Sequence, residues 1–283
     1  MLVTGKEILQ KAHEGGYAVG AFNINNMEIV KAVVGAAQEQ NAPVILQTSE
    51  GAIKYAGGKY LAAMVRVAAE EATVPIALHL DHGTSFDTIM GCIRNGWTSV
   101  MYDGSHHPLE ENIANSADIV RIAHAAGISV EAELGRLSGV EDNISVSEQD
   151  AIYTNPDEAV RFVNETGIDY LAIAIGTAHG KYKGEPKLDF DRLEKIKSLL
   201  NMPIVLHGAS GVPEDSIKRA IALGVNKINI DTDVRLAFTE GVRSVISGKP
   251  EEFDPRKICT PAMEAMKKIV TTKIQLFGCN GKA

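Results

Sequence analysis

The feature that most constrains the fold is a unit that recurs eight times along the chain. Each unit is a short apolar run that ends on polar residues and is followed by a helical pattern. The runs are residues 17–22, 43–47, 75–80, 98–102, 128–132, 170–175, 203–206 and 225–230. Such runs between helices are typical of strands buried on both faces of a parallel sheet. Because parallel strands need crossover helices, the pattern predicts an α/β protein, a (β/α)8 TIM barrel.

An open, doubly wound sheet is the alternative fold. It gives no reason for eight near-equal units, and no GxGxxG motif follows the first strand. We therefore predict one barrel domain over residues 1–283, with an extra N-terminal helix before the first strand. A C-terminal helical extension is expected around residues 261–277, packed against the barrel wall.

Composition excludes several functions. The chain has 283 residues and a formal net charge of −8, whereas nucleic acids and membrane surfaces attract clustered positive charge. No apolar run is long enough to cross a bilayer. The three cysteines lack metal-type CxxC spacing and imply no disulfide framework. These features predict a cytoplasmic protein with no nucleic-acid or membrane partner.

In a TIM barrel, the carboxyl ends of all strands lie on one face, where active sites occur. Polar residues at the strand ends should therefore ring a single mouth. They are Asn23, Ser49, Asp81, His82, Asp103, Glu133, His179, His207, Asn229 and Asp231.

Three of these residues are histidines, His82, His179 and His207, which is the number of protein ligands in an open zinc site. Asp81 is either an acid/base for a hydroxyl proton or a carboxylate that orients a ligating imidazole. Asp103 and Glu133 are either additional ligands or partners of lysines.

The mouth also has candidate lids and anion sites. Two long connections, residues 134–155 and 176–188, are typical of lid loops, and Glu141 in the first either enters the site on closure or stays solvated. The loops HGASG (residues 207–211) and NIDT (residues 229–232) each lead into a helix, as phosphate sites in barrels do. Lys183 and Arg235 are cationic candidates for a second phosphate.

A metal-free mechanism is the rival, because a desolvated lysine inside the barrel could form a Schiff base with a carbonyl substrate. The sixth strand has no lysine, and only Lys227 in the eighth is a candidate. The three histidines favour the metal route.

Five motifs in combination closely resemble those of the class II, zinc-dependent ketose-bisphosphate aldolases over nearly the whole chain. They are LHLDHG (78–83), SVEAELG (129–135), GTAHGKYKGEPKLDF (176–190), VLHGASGVP (205–213) and KINIDTD (227–233).

The resemblance implies a role for each matching position. Asp81 would be the catalytic acid/base at the fourth-carbon hydroxyl, and Glu141 the lid acid. The implied metal residues are His82, His179 and His207 for catalytic zinc, with Asp103 and Glu133 at an alternate or second divalent position. The implied substrate-binding residues are Asn23, Ser49, Gly180, Lys183, Gly208, Ala209, Ser210, Asn229, Asp231, Thr232 and Arg235, the arginine reaching across from a neighbouring subunit.

The resemblance also implies a reaction, the reversible cleavage of fructose 1,6-bisphosphate to dihydroxyacetone phosphate and glyceraldehyde 3-phosphate in glycolysis and gluconeogenesis. A monovalent cation, Na⁺ or K⁺, and a homodimer or homotetramer are usual in the family. Tagatose 1,6-bisphosphate is the alternative substrate, and the acidic Asp231 favours fructose. A non-catalytic zinc and sugar-phosphate binding protein is the third possibility, which the presence of both Asp81 and Glu141 disfavours.

Overall fold

The computed structural model describes residues 1–141, 144–147, 149, 151–182 and 184–283, and for residues 140, 141, 144 and 145 it describes the backbone alone. Eight parallel strands form a closed barrel in this part of the chain, which confirms the predicted (β/α)8 fold. Each predicted apolar run overlaps one of these strands. They are β1 (Val19–Asn23), β2 (Val44–Thr48), β3 (Ile76–Gly83), β4 (Ser99–Tyr102), β5 (Ser129–Leu134), β8 (Tyr170–Ile173), β10 (Ile204–Leu206) and β11 (Val225–Ile230).

The barrel closes through the parallel pairing of its first and last strands, in the register that sets Val19 beside Lys227. Around the barrel the strand order is β1-β11-β10-β8-β5-β4-β3-β2. The wall helices are α2 (Met27–Glu39), α3 (Glu50–Ala56), α4 (Gly58–Glu71), α5 (Phe86–Asn95), α6 (Leu109–Ala125), α7 (Pro156–Thr166), α8 (Phe190–Leu199), α9 (Glu214–Ala222) and α10 (Thr232–Gly248).

The extra N-terminal helix is α1 (Gly5–Gly15). Thr4 and Glu7 form a capping box at its start, and Gly16 ends it in the left-handed region at φ 65°. The helix contacts β1, β3, β5 and β11, so it lies across one end of the barrel. A Cβ at Gly5 would collide with the Tyr170 hydroxyl, which explains why this close approach needs a glycine.

The C-terminal extension is α11 (Pro255–Phe277), which packs on α10 and α2. It begins six residues earlier than the predicted position near Pro261. The Asp254 side chain accepts from the Arg256 backbone N–H, and Pro255 occupies the first turn, where a missing N–H costs nothing. The prediction of the start was wrong because Pro261, taken as the start, lies inside the helix.

The two long connections, predicted to be lids, contain short strands of their own. These are β6 (Ser138–Glu141) and β7 (Ile144–Val146) in the first and β9 (Ala178–His179) in the second. They form a small sheet in the order β7-β6-β9, in which Gly139 pairs with His179. Gly139 has φ 109°, and a Cβ there would collide with the His179 backbone. This pairing anchors the backbone that carries His179.

Among the residues that the structure describes, no helix is both long enough and apolar enough to cross a membrane.

Helices α10 and α11 approach closely at Gly241, where an added Cβ would lie 2.5 Å from the Ala262 Cα. We expect Gly241→Ala to lower the free energy of unfolding by about 1–3 kcal/mol, because backbone rather than a flexible side chain must give way. Urea unfolding followed by circular dichroism measures the change.

Gly91 in α5 is the matched control, because a Cβ there would meet no atom within 4 Å. Gly91→Ala should raise the free energy of unfolding by roughly 0.5–1 kcal/mol through helix propensity. Equal effects of the two substitutions would contradict the close packing of α10 on α11.

Candidate active site

The end of β3 has an unusual backbone that brings two neighbouring side chains into the barrel. His82 has φ 49°, a left-handed conformation that costs a non-glycine residue about 1–3 kcal/mol. The β3–β4 register shifts between Leu80 and Gly83, at the same place. In a regular strand, consecutive side chains point to opposite faces. The distortion lets Asp81 and His82 both contact residues of the barrel interior.

The three predicted metal histidines come together at the mouth. His82, His179 and His207 each offer a ring nitrogen, and these nitrogens lie within 4.8 Å of one another. His82 and His207 are buried, while His179 is partly exposed. Their rings pack edge to face, with the centroids of His82 and His207 4.6 Å apart. The predicted convergence of strand ends is therefore observed for these three residues.

Two carboxylates set the tautomers of these histidines. Asp103 Oδ2 lies 2.7 Å from His82 Nδ1, and Glu131 Oε1 lies 2.7 Å from His207 Nε2. Burial opposes ionisation of Asp103, but its hydrogen bond with His82 prevails and holds the pKa of the carboxyl well below its usual range. Burial also opposes the charged form of His207: it lowers the pKa of the imidazole, which keeps that ring neutral. The protons therefore lie on His82 Nδ1 and His207 Nε2.

The remaining nitrogens, His82 Nε2 and His207 Nδ1, face each other at 2.9 Å. With its proton on Nε2, neutral His207 carries a lone pair on Nδ1, and a His82 protonated on Nδ1 alone would face it with a second lone pair, an arrangement that a cation beside them stabilises. Three imidazoles are also the donor set of many catalytic zinc sites, with bonds of about 2.0–2.1 Å. Convergence, tautomers and donor type all fit a divalent metal at this position.

A second group, His82 with Asp103 and Glu133, also has ligand atoms within 4.8 Å of one another. Sequence reasoning left open whether these carboxylates bind metal or pair with lysines. In the structure both lie beside histidines: Asp103 Oδ2 accepts from His82 while its Oδ1 accepts from the Ser105 N–H, and Glu133 Oε2 lies 3.5 Å from His207 Nδ1. Both therefore stand beside the metal position.

Asp81 is fully buried and held by three amide side chains. Asn23 and Gln47 donate to its Oδ2 at 3.0 and 2.9 Å, and Asn229 donates to its Oδ1 at 3.0 Å. His82 Nε2 is 4.0 Å from Asp81 Oδ1, so Asp81 is not the carboxylate that orients this imidazole. All three donors are neutral amides, so these contacts fix the carboxylate without a countercharge.

Most of the predicted substrate residues line one cavity beside the histidines. Within it, Ser210 Oγ accepts from the backbone N–H groups of Asp231 and Asp233, which ties the β10 loop to the start of α10. Arg235 pairs with Asp231 of the same chain at 2.7 Å. The cavity is lined by Asn23, His179, Gly180, Gly208, Ala209, Ser210, Asn229, Asp231, Thr232 and Arg235.

Two predicted substrate residues, Ser49 and Lys183, and the predicted lid acid Glu141 are not among those lining this cavity. Ser49 is buried and caps α3, where its Oγ accepts from the Ala52 N–H at 3.2 Å. Lys183 lies outside the described residues, and Glu141 is described by its backbone alone, at the end of β6.

Sequence reasoning missed two buried polar residues. Gln47 holds Asp81, and Glu131 holds His207. Both had a signal: Gln47 is the polar residue that follows Val44–Leu46 in an apolar run, and Glu131 lies two residues before Glu133 and hence on the same strand face.

Tyr182 is a third residue that the sequence did not indicate. Its hydroxyl accepts from the Ala178 N–H and donates to the Gly208 carbonyl, both at 2.7 Å. Ala178 and Gly208 are the chain neighbours of His179 and His207. One hydroxyl thus links the two loops that carry these histidines.

Comparison with known proteins identifies the family. A family model described as class-II fructose-bisphosphate aldolase matches residues 3–282. The chain belongs to that family. The class of enzyme expected from the motifs, a class II aldehyde-lyase, is thereby confirmed.

Relatives of the aldolase match along their whole length. A fructose-bisphosphate aldolase of Thermus caldophilus is 51% identical over 306 aligned positions, which cover 100% of both chains. One of Geobacillus stearothermophilus is 50% identical over 285 positions, covering 100% of this chain and 99% of the relative. Among solved structures, the YdjI aldolase of Escherichia coli K12 is 36% identical, with full coverage of both chains and a TM-score of 0.89.

The link through Tyr182 predicts a defect in substrate binding by this aldolase. Tyr182→Phe keeps the ring but removes the hydroxyl that links the two loops. The Gly180 and Gly208 backbones, which line the substrate cavity, should then no longer be held in fixed positions relative to each other. We expect KM to rise about fivefold, in line with the roughly 1 kcal/mol net contribution of such a hydrogen bond, with a smaller change in kcat.

Steady-state kinetics of cleavage measure this effect. Tyr60→Phe, which alters an exposed tyrosine of α4, is the control and should leave both constants unchanged. An unchanged KM in Tyr182→Phe would show that the two loops keep their geometry without the hydroxyl.

Proposed function

We propose that this aldolase reversibly cleaves fructose 1,6-bisphosphate to dihydroxyacetone phosphate and glyceraldehyde 3-phosphate, in the cytoplasm, as a step of glycolysis and gluconeogenesis. The observation that carries the proposal is the position of Asp81, a dry carboxylate beside three convergent imidazoles. The fructose-bisphosphate aldolase names of the relatives at about 50% identity support the choice of substrate.

Zinc is the proposed catalytic ion, held by His82, His179 and His207. When bound, it supplies a Lewis acid beside the substrate carbonyl, where negative charge develops as the bond between the third and fourth carbons breaks. Asp103 and Glu133 are proposed for a second or alternate divalent ion, with a monovalent cation, Na⁺ or K⁺, as a further cofactor.

Asp81 is the proposed acid/base. In the cleavage direction its carboxylate takes the proton from the fourth-carbon hydroxyl, and in condensation it returns that proton. Hydrogen bonds from Asn23, Gln47 and Asn229 fix the direction of the carboxylate. Glu141 is the proposed acid for proton exchange at the dihydroxyacetone phosphate carbon.

Substrate binding is assigned to the cavity beside the histidines. The Gly208–Ser210 backbone and the N-terminus of α10 at Thr232 supply N–H groups of the kind that bind phosphate. Gly180 and Lys183 are proposed on the same phosphate, Ser49 at the pocket wall, and Asp231 and Arg235 towards the other end of the sugar. A homodimer or homotetramer, in which Arg235 reaches a neighbouring site, is part of the proposal.

The acid/base role makes a sharp prediction for Asp81→Ala. The variant should keep zinc, because Asp81 makes no contact shorter than 4.0 Å with His82, and should lose about 10²–10⁴-fold in kcat. Turnover and zinc content are measured on the same preparation. Asp118→Ala, an exposed position on α6, is the control, and near-normal turnover of Asp81→Ala would remove Asp81 from the mechanism.

The substrate and metal are tested together by cleavage assays on fructose and tagatose 1,6-bisphosphates. We expect faster cleavage of fructose 1,6-bisphosphate, loss of activity after chelation, and recovery with zinc. A preference for the tagatose sugar would change the substrate assignment. Activity that survives complete zinc removal would refute the metal mechanism, and bound zinc without cleavage of either sugar would favour a binding protein.

A further inference from the structure

A buried ion pair below the metal histidines has no place in the mechanism so far. Lys227 Nζ on β11 donates to Glu131 Oε2 on β5 at 2.7 Å, and both side chains are fully buried. These strands are not neighbours in the barrel, so the pair spans its interior. A buried ion pair typically stabilises a fold no better than apolar residues of the same size. Its contacts therefore point to another role.

The second oxygen of Glu131 indicates that role. Glu131 Oε1 accepts from His207 Nε2, while Oε2 is held by Lys227. Burial favours the neutral acid, but the charge of Lys227 and the hydrogen bond from His207 outweigh it and lower the pKa of Glu131 below its usual range. The carboxylate is therefore an acceptor at both oxygens. Because Lys227 Nζ is fully buried and held by Glu131 below the histidines, the arrangement does not favour the Schiff-base role.

We propose that Lys227 is a positioning residue that, by holding one oxygen of Glu131, makes the other accept from His207 Nε2–H, so that His207 Nδ1 is left as a lone pair directed at the metal position. This inference rests on the proposed function, because it concerns how the chain prepares its metal ligands. Hydrogen bonds from the outer nitrogen of a ligating histidine commonly set its tautomer in this way.

The variant Glu131→Gln should reverse the hydrogen bond to His207. Of the two amide groups, only the oxygen can accept from Lys227, so Lys227 holds the oxygen on its own side and the NH₂ points at His207 Nε2. That nitrogen must then accept, and the ring proton moves to Nδ1, where it blocks the metal. We expect the zinc dissociation constant to rise about 10–100-fold, as for other losses of this kind of support.

Adding Lys227→Met should reverse the defect. Without the ammonium, the amide oxygen is free to turn to His207, and the NH₂ can donate to His79 Nε2, which lies 3.3 Å from Glu131 Oε2. His79 is neutral, because burial lowers its pKa well below the usual value. The double variant should therefore bind zinc about tenfold or more tighter than Glu131→Gln alone. It also avoids the uncompensated buried carboxylate of Lys227→Met.

The matched control is Lys267→Met, which removes a lysine–carboxylate pair at Glu39 on the surface. It should leave zinc affinity unchanged in the parent protein and should not rescue Glu131→Gln. Zinc affinity is measured by competition with a chromophoric chelator, in the full chain, with thermal unfolding of each variant to verify folding.

Nitrogen-15 NMR of the apoprotein imidazoles reads the tautomer directly, with His207 assigned by its absence in His207→Asn. We expect Nε2–H in the parent, Nδ1–H in Glu131→Gln, and Nε2–H again in the double variant. The inference is overturned if Glu131→Gln keeps Nε2–H with parental affinity, or if the double variant is no better than the single one. Absence of zinc binding by the parent would refute the proposed metal, while the tautomers alone would still decide this inference.

Discussion

The hydrogen bond from His207 Nε2 to Glu131 determines what the rest of the mouth can do. With the proton fixed on Nε2, the ring can present only Nδ1 to the position shared with His82. In His82 the roles of the two nitrogens are exchanged: Asp103 fixes a proton on Nδ1, and Nε2 is the nitrogen that faces His207. Two buried carboxylates thus hold the two rings by opposite nitrogens, and the remaining nitrogens lie 2.9 Å apart.

The barrel interior provides partners for the buried polar side chains on which this arrangement depends. Glu131, Lys227 and His79 are fully buried, and each finds a partner because inward-facing side chains of strands that are not neighbours meet across the interior. Helix α1 lies across the opposite end, where its close approach at Gly5 covers Tyr170. The polar layer is therefore shut off from water on that side. Electrostatic interactions are stronger in such an environment, and an unpaired group would be costly.

The sequence predicted the fold and the histidine cluster well, because both follow from local patterns combined with one topological rule. Apolar runs mark the strands, and parallel closure brings the residues after each strand to one mouth. Lys227 was recognised only as a nucleophile, and Glu131 not at all, because their meeting depends on which strands face each other across the barrel. The role of Tyr182 was not predicted for a related reason: its partners are backbone groups of two loops, and backbone groups leave no recognisable pattern in the sequence.

Asp81 and Asp103 both lie near His82, but their surroundings suit them to different roles. Asp103 accepts a hydrogen bond from His82 Nδ1, so any change in its charge would disturb the tautomer on which the proposed metal binding depends. Asp81 stands 4.0 Å from the ring, and its close partners are neutral amides that cannot give up a proton at ordinary pH. In the proposed mechanism, Asp81 would take up and release its proton 4.0 Å from the ring, while Asp103 keeps its hydrogen bond to His82.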